Sequence, residues 1–128
     1  MNEHNSQVAV VRWAMEMTAK YPELSALYAI PNAAKRSVAL AVHMKAEGMR
    51  AGIPDLHLPV PKGKYCGLYI EMKYGANKCT ELQKLWHERL RRIGHRVEVC
   101  YTAVAAIKVI EEYFEGMKPI DIRLPAID

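Results

Sequence analysis

The sequence predicts an α/β fold, a small mixed sheet flanked by helices. Segments with apolar residues at three- and four-residue steps alternate with short extended segments, in the order α-β-α-β-β-α-β-α. Two of the extended segments, residues 66–73 and 96–101, show two-residue alternation of apolar and polar side chains. With 128 residues, 51% of them hydrophobic and 25% charged, the chain fits one domain with a buried core and a solvated surface.

Residues 3–20 read as a helix, with Val8, Val11, Met15 and Thr18 along its length and Pro22 stopping it. Glu3 and Gln7, four residues apart, share a face near its start. Leu24 to Ile30 reads as a short strand closed by Pro31-Asn32. Residues 36–47 return to helix, with Val38, Ala41, Val42 and Lys45 along one side and Gly48 as the stop. Ile53 to Val60 reads as a strand broken by Pro59 and Pro61, followed by the turn Lys62-Gly63-Lys64.

From Cys66 to Lys73 the alternation sends Cys66, Leu68, Ile70 and Met72 one way and Gly67, Tyr69, Glu71 and Lys73 the other. Thr80 caps the next helix, and Gln83 three residues on completes a capping box. Leu82, Leu85, Trp86, Leu90 and Ile93 give that helix an apolar stripe, and Gly94 ends it. Arg96 to Tyr101 reads as a strand, and Thr102 caps a last helix with Ile107, Ile110 and Phe114 toward the core. Residues 1–115 form the domain. Residues 116–128, with two prolines and no clear period, form a C-terminal tail.

The net charge of +4 permits a polyanionic partner without requiring one. Cys66, Cys79 and Cys100 are an odd set with no CxxC pair, which excludes a cysteine zinc site. Cys66 and Cys100 lie in apolar runs and read as buried thiols of a reducing compartment. The polar N-terminus lacks a signal-peptide core, and no apolar run nears the roughly 20 residues of a membrane helix. These features predict a soluble intracellular protein that does not enter a membrane.

The chemistry-bearing residues are in the middle of the chain. Gly52-Ile53-Pro54-Asp55 opens one strand and Glu71-Met72-Lys73 closes the next, with 15 residues between Asp55 and Glu71. If the strands pair as a hairpin, Asp55 lies beside Glu71. Strand periodicity then puts Lys73 on the same face, about 6.5–7 Å further on. Two carboxylates this close repel unless a cation joins them, and hard oxygen ligands suit Mg²⁺ or Mn²⁺. The Met72 backbone carbonyl, waters and a phosphate oxygen would complete the shell. Such an ion polarises a phosphodiester and acidifies a bound water, which Lys73 would orient or deprotonate.

Taken together, Glu3 and Gln7, Ile30-Pro31-Asn32 with Arg36, Gly52 to Leu56, Leu68 to Lys73, and Thr80 to Gln83 with Trp86 resemble the VRR-NUC domains. These form the virus-type replication-repair branch of the PD-(D/E)XK, restriction-endonuclease-like nucleases. The resemblance runs from about Glu3 to about Phe114 in the family's order. It implies a sheet flanked by helices, a divalent metal, and cleavage of structured, branched or flap-like DNA. It also implies a stand-alone homodimer similar to Holliday-junction resolvases, acting in the cytoplasm of a bacterial or phage-infected cell. Asp55 and Glu71 match the family's metal-binding acids, Lys73 its catalytic lysine, and Glu3 the first-helix acid that reaches the metal directly or through water. Gln83 matches the helix glutamine that supports the site. Glu3 equally reads as a helix N-terminal charge favoured by the macrodipole, and Gln83 as a capping-box residue. Where many members carry a second glycine after Pro-Asn, this chain has Ala33-Ala34.

Candidate DNA contacts are Asn32, Lys35, Arg36 and Lys78, with Lys62 and Lys64 in the turn. Arg89, Arg91, Arg92 and Arg96 form a second basic cluster, in which Arg89 and Arg92 flank Glu88 as helix charges. Trp86 reads most simply as core. The five histidines have no zinc-like spacing, and His57 falls on the same side as Asp55. Two other functions fit the same residues. One is a nucleic-acid-binding module of this fold without catalysis; the other is a restriction-type duplex endonuclease, for which the chain lacks a target-recognition domain.

Overall fold

A computed structural model describes residues 2–32, 37–115 and 124–127. Its elements are α1 (Glu3–Glu16), a 3-10 turn (Pro22–Ala26), β1 (Tyr28–Ala29), α2 (Val38–Ala46), β2 (Leu56–Leu58), β3 (Leu68–Met72), α3 (Glu81–Arg92), β4 (Arg96–Cys100) and α4 (Ala103–Phe114). The strands form a mixed four-stranded sheet in the order β1-β2-β3-β4. β1 and β2 pair antiparallel, as do β2 and β3, whereas β3 and β4 are parallel.

Each helix starts where a side chain takes over an unpaired backbone donor. Asn2 Oδ1 accepts from the Asn5 N–H at 2.8 Å, Ser37 caps α2, and Thr102 Oγ1 accepts from the Ala105 N–H at 3.0 Å. Thr80 and Gln83 close the capping box of α3. α1 ends at Glu16, short of the expected residue 20, and its last turns close as Lys20 and Tyr21 N–H donate to the Met17 carbonyl. The strand expected from Leu24 is reduced to two residues, because Pro22 to Ala26 winds into a 3-10 turn that buries Leu24. β2 is also shorter than the expected residues 53–60. Pro54 and Pro59 have no N–H to give a ladder, so pairing survives only between them.

The two faces of the sheet differ in chemistry. On one, Leu56, Leu58, Leu68, Ile70, Met72 and Cys100 pack with Val10 and Ala14 of α1 and with Ala106, Ile110, Tyr113 and Phe114 of α4. Ile110 and Phe114 therefore face the core as expected, while Ile107 is only partly covered. Tyr21 stacks on Phe114 with ring centroids 5.0 Å apart, and the Tyr113 hydroxyl donates to the Val60 carbonyl.

The other face lies under α3, and here the sequence reading needs correction. Leu82, Leu85 and Ile93 of the expected apolar stripe are exposed, and the buried residues of α3 are His87 and Leu90. The reason is the surface beneath: β3 offers polar side chains on that side, so α3 turns polar partners toward it. Trp86 is half-buried with the Arg89 guanidinium 4.8 Å over its ring. Cys66 also departs from expectation. It precedes β3, is exposed, and has its Sγ 3.4 Å from His95 Nδ1, whereas Cys100 is buried as expected. Of the tail, residues 116–123 and 128 lie outside the described residues; Leu124 to Ile127 line a pocket with Thr18, Pro22 and Ser25. Among the described residues, no helix is long and apolar enough to cross a membrane.

Candidate active site

Asp55 sits immediately before β2. Its position is fixed by a loop that only glycine can make: Gly52 has φ of +87°, and a Cβ there would lie 2.7 Å from Leu82 Cγ of α3. Pro54 is fully buried, and the Asp55 carbonyl accepts from the Ile30 N–H at 2.8 Å. The pairing Leu56–Ile70, continued by one step, sets Asp55 opposite Glu71. At the following position, where Pro54 ends the ladder, the Asp55 carboxylate takes the bond instead: Oδ2 accepts from the Met72 N–H at 2.8 Å. The residues of an extended strand direct N–H and C=O to the same edge, so the Met72 carbonyl lies on the Asp55 side.

Glu71 and Lys73 follow the alternation onto the face opposite the apolar core. Both are deeply buried, at 2% and 7% exposure. Charged groups are seldom buried without partners, and α3 supplies them. His87 Nε2 lies 3.2 Å from Glu71 Oε1, and the imidazole is itself 3% exposed. Burial, followed by the nearby Arg91 and Lys73 charges, holds the His87 pKa below the ordinary histidine value, with Asp55 opposing. A neutral His87 therefore presents an Nε2–H donor to the Glu71 carboxylate.

Lys73 Nζ donates to Gln83 Oε1 at 2.8 Å, and the same oxygen accepts from the Thr80 N–H at 2.8 Å. Gln83 N–H in turn donates to Thr80 Oγ1 at 3.1 Å. The two readings of Gln83 thus coincide: the capping box that starts α3 also aims an amide oxygen at the lysine.

Glu3 stands on the first turn of α1 and lines a cavity of about 940 Å³ together with Gln7, Asp55 and Met72. Among the described residues no three His, Cys, Asp or Glu side chains are gathered closely enough to hold a metal. Glu3 therefore shares an open cavity with Asp55 rather than a tight ligand cluster. The donors that strand register places at neighbouring positions, the Asp55 and Glu71 carboxylates and the Met72 carbonyl, are all hard oxygen. This fits a hard divalent cation such as Mg²⁺, which needs only one or two carboxylates beside water and phosphate.

Asn32 follows β1 and lies at the Asp55 end of the sheet, and Lys78 is exposed in the loop after Lys73. Lys35 and Arg36 lie outside the described residues. Lys62 and Lys64 occupy the β2–β3 turn, at the opposite end of the strands from Asp55, so the hairpin separates them from this site. The arginine cluster is engaged in the framework: Arg91 donates to the Val97 carbonyl, Arg92 pairs with Glu88, and Arg96 reaches Glu98 and Glu112. Arg89 is an exposed helix charge beside Glu88, as expected, and its guanidinium also covers Trp86. His87 is the residue that sequence reading missed. Its signal was available, since it lies four residues after Gln83 and so on the same face of α3.

Comparison with known proteins agrees with this fold. The VRR-NUC domain family matches residues 1–104. A solved structure of a "VRR_NUC domain protein" is similar to this chain with a TM-score of 0.77 and 29% identity, covering 90% of this chain and 89% of its own. No curated protein matches.

Proposed function

Because the chain belongs to the VRR-NUC domain family, a family of nuclease type, we propose that it is a divalent-metal-dependent DNA endonuclease working through Asp55, Glu71 and Lys73. The observation that carries this reading is the register of β2 against β3. It sets Asp55 opposite Glu71 at the end of a strand pair, and Lys73 follows two residues on, steered by Gln83.

Asp55, Glu71 and the Met72 carbonyl are the groups that would hold Mg²⁺ or Mn²⁺, with Glu3 reaching it through water across the shared cavity. When bound, the ion would polarise the phosphodiester and acidify a water molecule. The protein's own work is positional. The Met72 N–H fixes Asp55, and His87 fixes Glu71, so neither carboxylate has to reorganise as charge develops. Lys73 spends one N–H on Gln83 and keeps the others to orient the attacking water or to stabilise the pentacovalent phosphorane. Asn32 and Lys78, with Lys35 and Arg36, would contact the DNA backbone. The finer reading is a homodimer that cuts branched or flap-like DNA, as the family resemblance implies.

The test is incubation with labelled four-way junctions, flaps and linear duplex in Mg²⁺ or Mn²⁺. We expect cleavage of the branched forms, abolished by EDTA. Lys73→Ala should lower the rate by about 10²–10³-fold with folding and binding preserved. Cleavage that persists in EDTA overturns the metal mechanism. Binding without turnover on every substrate and metal would instead identify a silent binding module of this fold.

A further inference from the structure

Beside the proposed site, on the same face of the sheet, lies a row of rings for which phosphodiester hydrolysis has no use. His57 pairs with Tyr69 across β2 and β3, and each is two residues from an acid of the site, Asp55 and Glu71 respectively. Side-chain alternation puts all four on one face. The His57 and Tyr69 rings stack with centroids 4.1 Å apart and planes 5° from parallel. Tyr28 of β1 stands edge-on to His57 at 5.3 Å, its hydroxyl 2.7 Å from His57 Nδ1. His95 closes the other end, 5.0 Å from Tyr69 and nearly perpendicular to it.

Space for this row depends on Gly67. A Cβ there would come within 3.1 Å of His95 Nδ1 and 3.4 Å of His57 Nε2. The rings are not core, because the apolar core is on the other side of the sheet and Tyr28 is 49% exposed while the other three are half-buried. Next to His95 a pocket of about 370 Å³ is lined by Lys64, Arg91 and the ion pair of Arg96 with Glu98, which leaves that end of the row net cationic through Lys64 and Arg91.

We propose that the row Tyr28–His57–Tyr69–His95 is a stacking platform for an unpaired nucleobase close to the scissile phosphate. The proposal rests on the nuclease reading above. Two strand residues separate the rings from the acid pair by about 6.5–7 Å, roughly two base steps of a stacked strand at ~3.4 Å each. A paired base inside a duplex has both faces covered by its neighbours, so only an unpaired or splayed base can offer a face to Tyr28. Aromatic stacking of this kind is tolerant of sequence, which suits an enzyme that selects DNA by structure. The platform thus supplies a reason for preferring junctions and flaps over linear duplex.

The experiment places fluorescent aminopurine, in turn, at each unpaired position near the branch of a flap, and measures binding to the Lys73→Ala protein in Mg²⁺. Fluorescence should be quenched at one or two positions on binding. An abasic site at such a position should weaken binding to the otherwise unaltered chain by about 5- to 100-fold, the loss expected for one base–aromatic stack. Tyr28→Leu should weaken it over the same range, whereas Tyr28→Phe, which keeps the ring and loses only the hydroxyl on His57, should stay within about twofold. Unchanged fluorescence at every unpaired position, with binding indifferent to abasic sites, overturns the platform even while metal-dependent cleavage stands. If instead no substrate is cut in any metal, the nuclease reading fails and the platform falls with it.

Discussion

His87 shows how much of this site depends on a side chain that would never touch the substrate. It is buried between α3 and β3 and gives the Glu71 carboxylate a donor fixed in place by packing. Replacing it by leucine keeps the volume and removes the donor, leaving a buried carboxylate short of a hydrogen bond. The expected loss is about 1–3 kcal/mol of stability in urea titrations of the metal-free protein, together with a fall in cleavage rate. His87→Gln, which restores a donor, should recover part of both. Wild-type stability and rate in His87→Leu would show that Glu71 is held by other groups.

Among the elements, α3 joins folding to the site. Thr80 starts the helix, Gln83 completes its cap and also aims at Lys73, and Leu82 closes over Gly52 so that the Asp55 loop is pressed against the same turn. Cap removal should therefore have two consequences. Thr80→Ala is expected to cost about 1 kcal/mol of stability. It should also lower the cleavage rate more than the substrate affinity, because the Gln83 backbone N–H loses the hydroxyl that fixes the helix turn from which its side chain reaches Lys73. A stability loss with an unchanged rate would mean that Lys73 holds its place without the cap. The exposed Leu82, Leu85 and Ile93 follow from the same arrangement. Amphipathic spacing indicated which residues of α3 share a stripe, but not that the sheet below would be polar.

For the whole molecule, titration of buried groups bounds the range of pH in which the fold is stable. Burial, and secondarily His95, brings the His57 pKa down from 6.5 to about 4, and burial lowers His95 as well. Below pH 6.5 the unfolded chain takes up these protons before the folded one does, so stability falls as pH drops from 6.5 toward 4. At the other limb burial raises the Cys100 thiol from 9.0 to about 11. The unfolded chain ionises first there, and stability falls as pH rises from 9.0 toward 11. Melting temperatures of the metal-free protein in EDTA should form a plateau between these limbs. His57→Phe should flatten the acid limb and Cys100→Ala the alkaline one. A limb unaltered by its substitution would assign that titration elsewhere.

The sequence by itself determined the kinds of elements, their order, and the chemistry of the central pair of strands. Local rules suffice for these: caps, prolines and two-residue alternation act over a few residues, and they placed Glu71 and Lys73 on one face and Thr80 at a helix start. Tertiary structure decided what each face meets. Whether Asp55 stands opposite Glu71 depends on strand register. Whether His87 reaches Glu71, and whether four rings from three strands and a loop assemble beside the acids, depends on how α3 and the sheet pack. Register and packing are set by contacts between residues far apart in the chain, and a period read along one segment carries no information about the segment that will cover it.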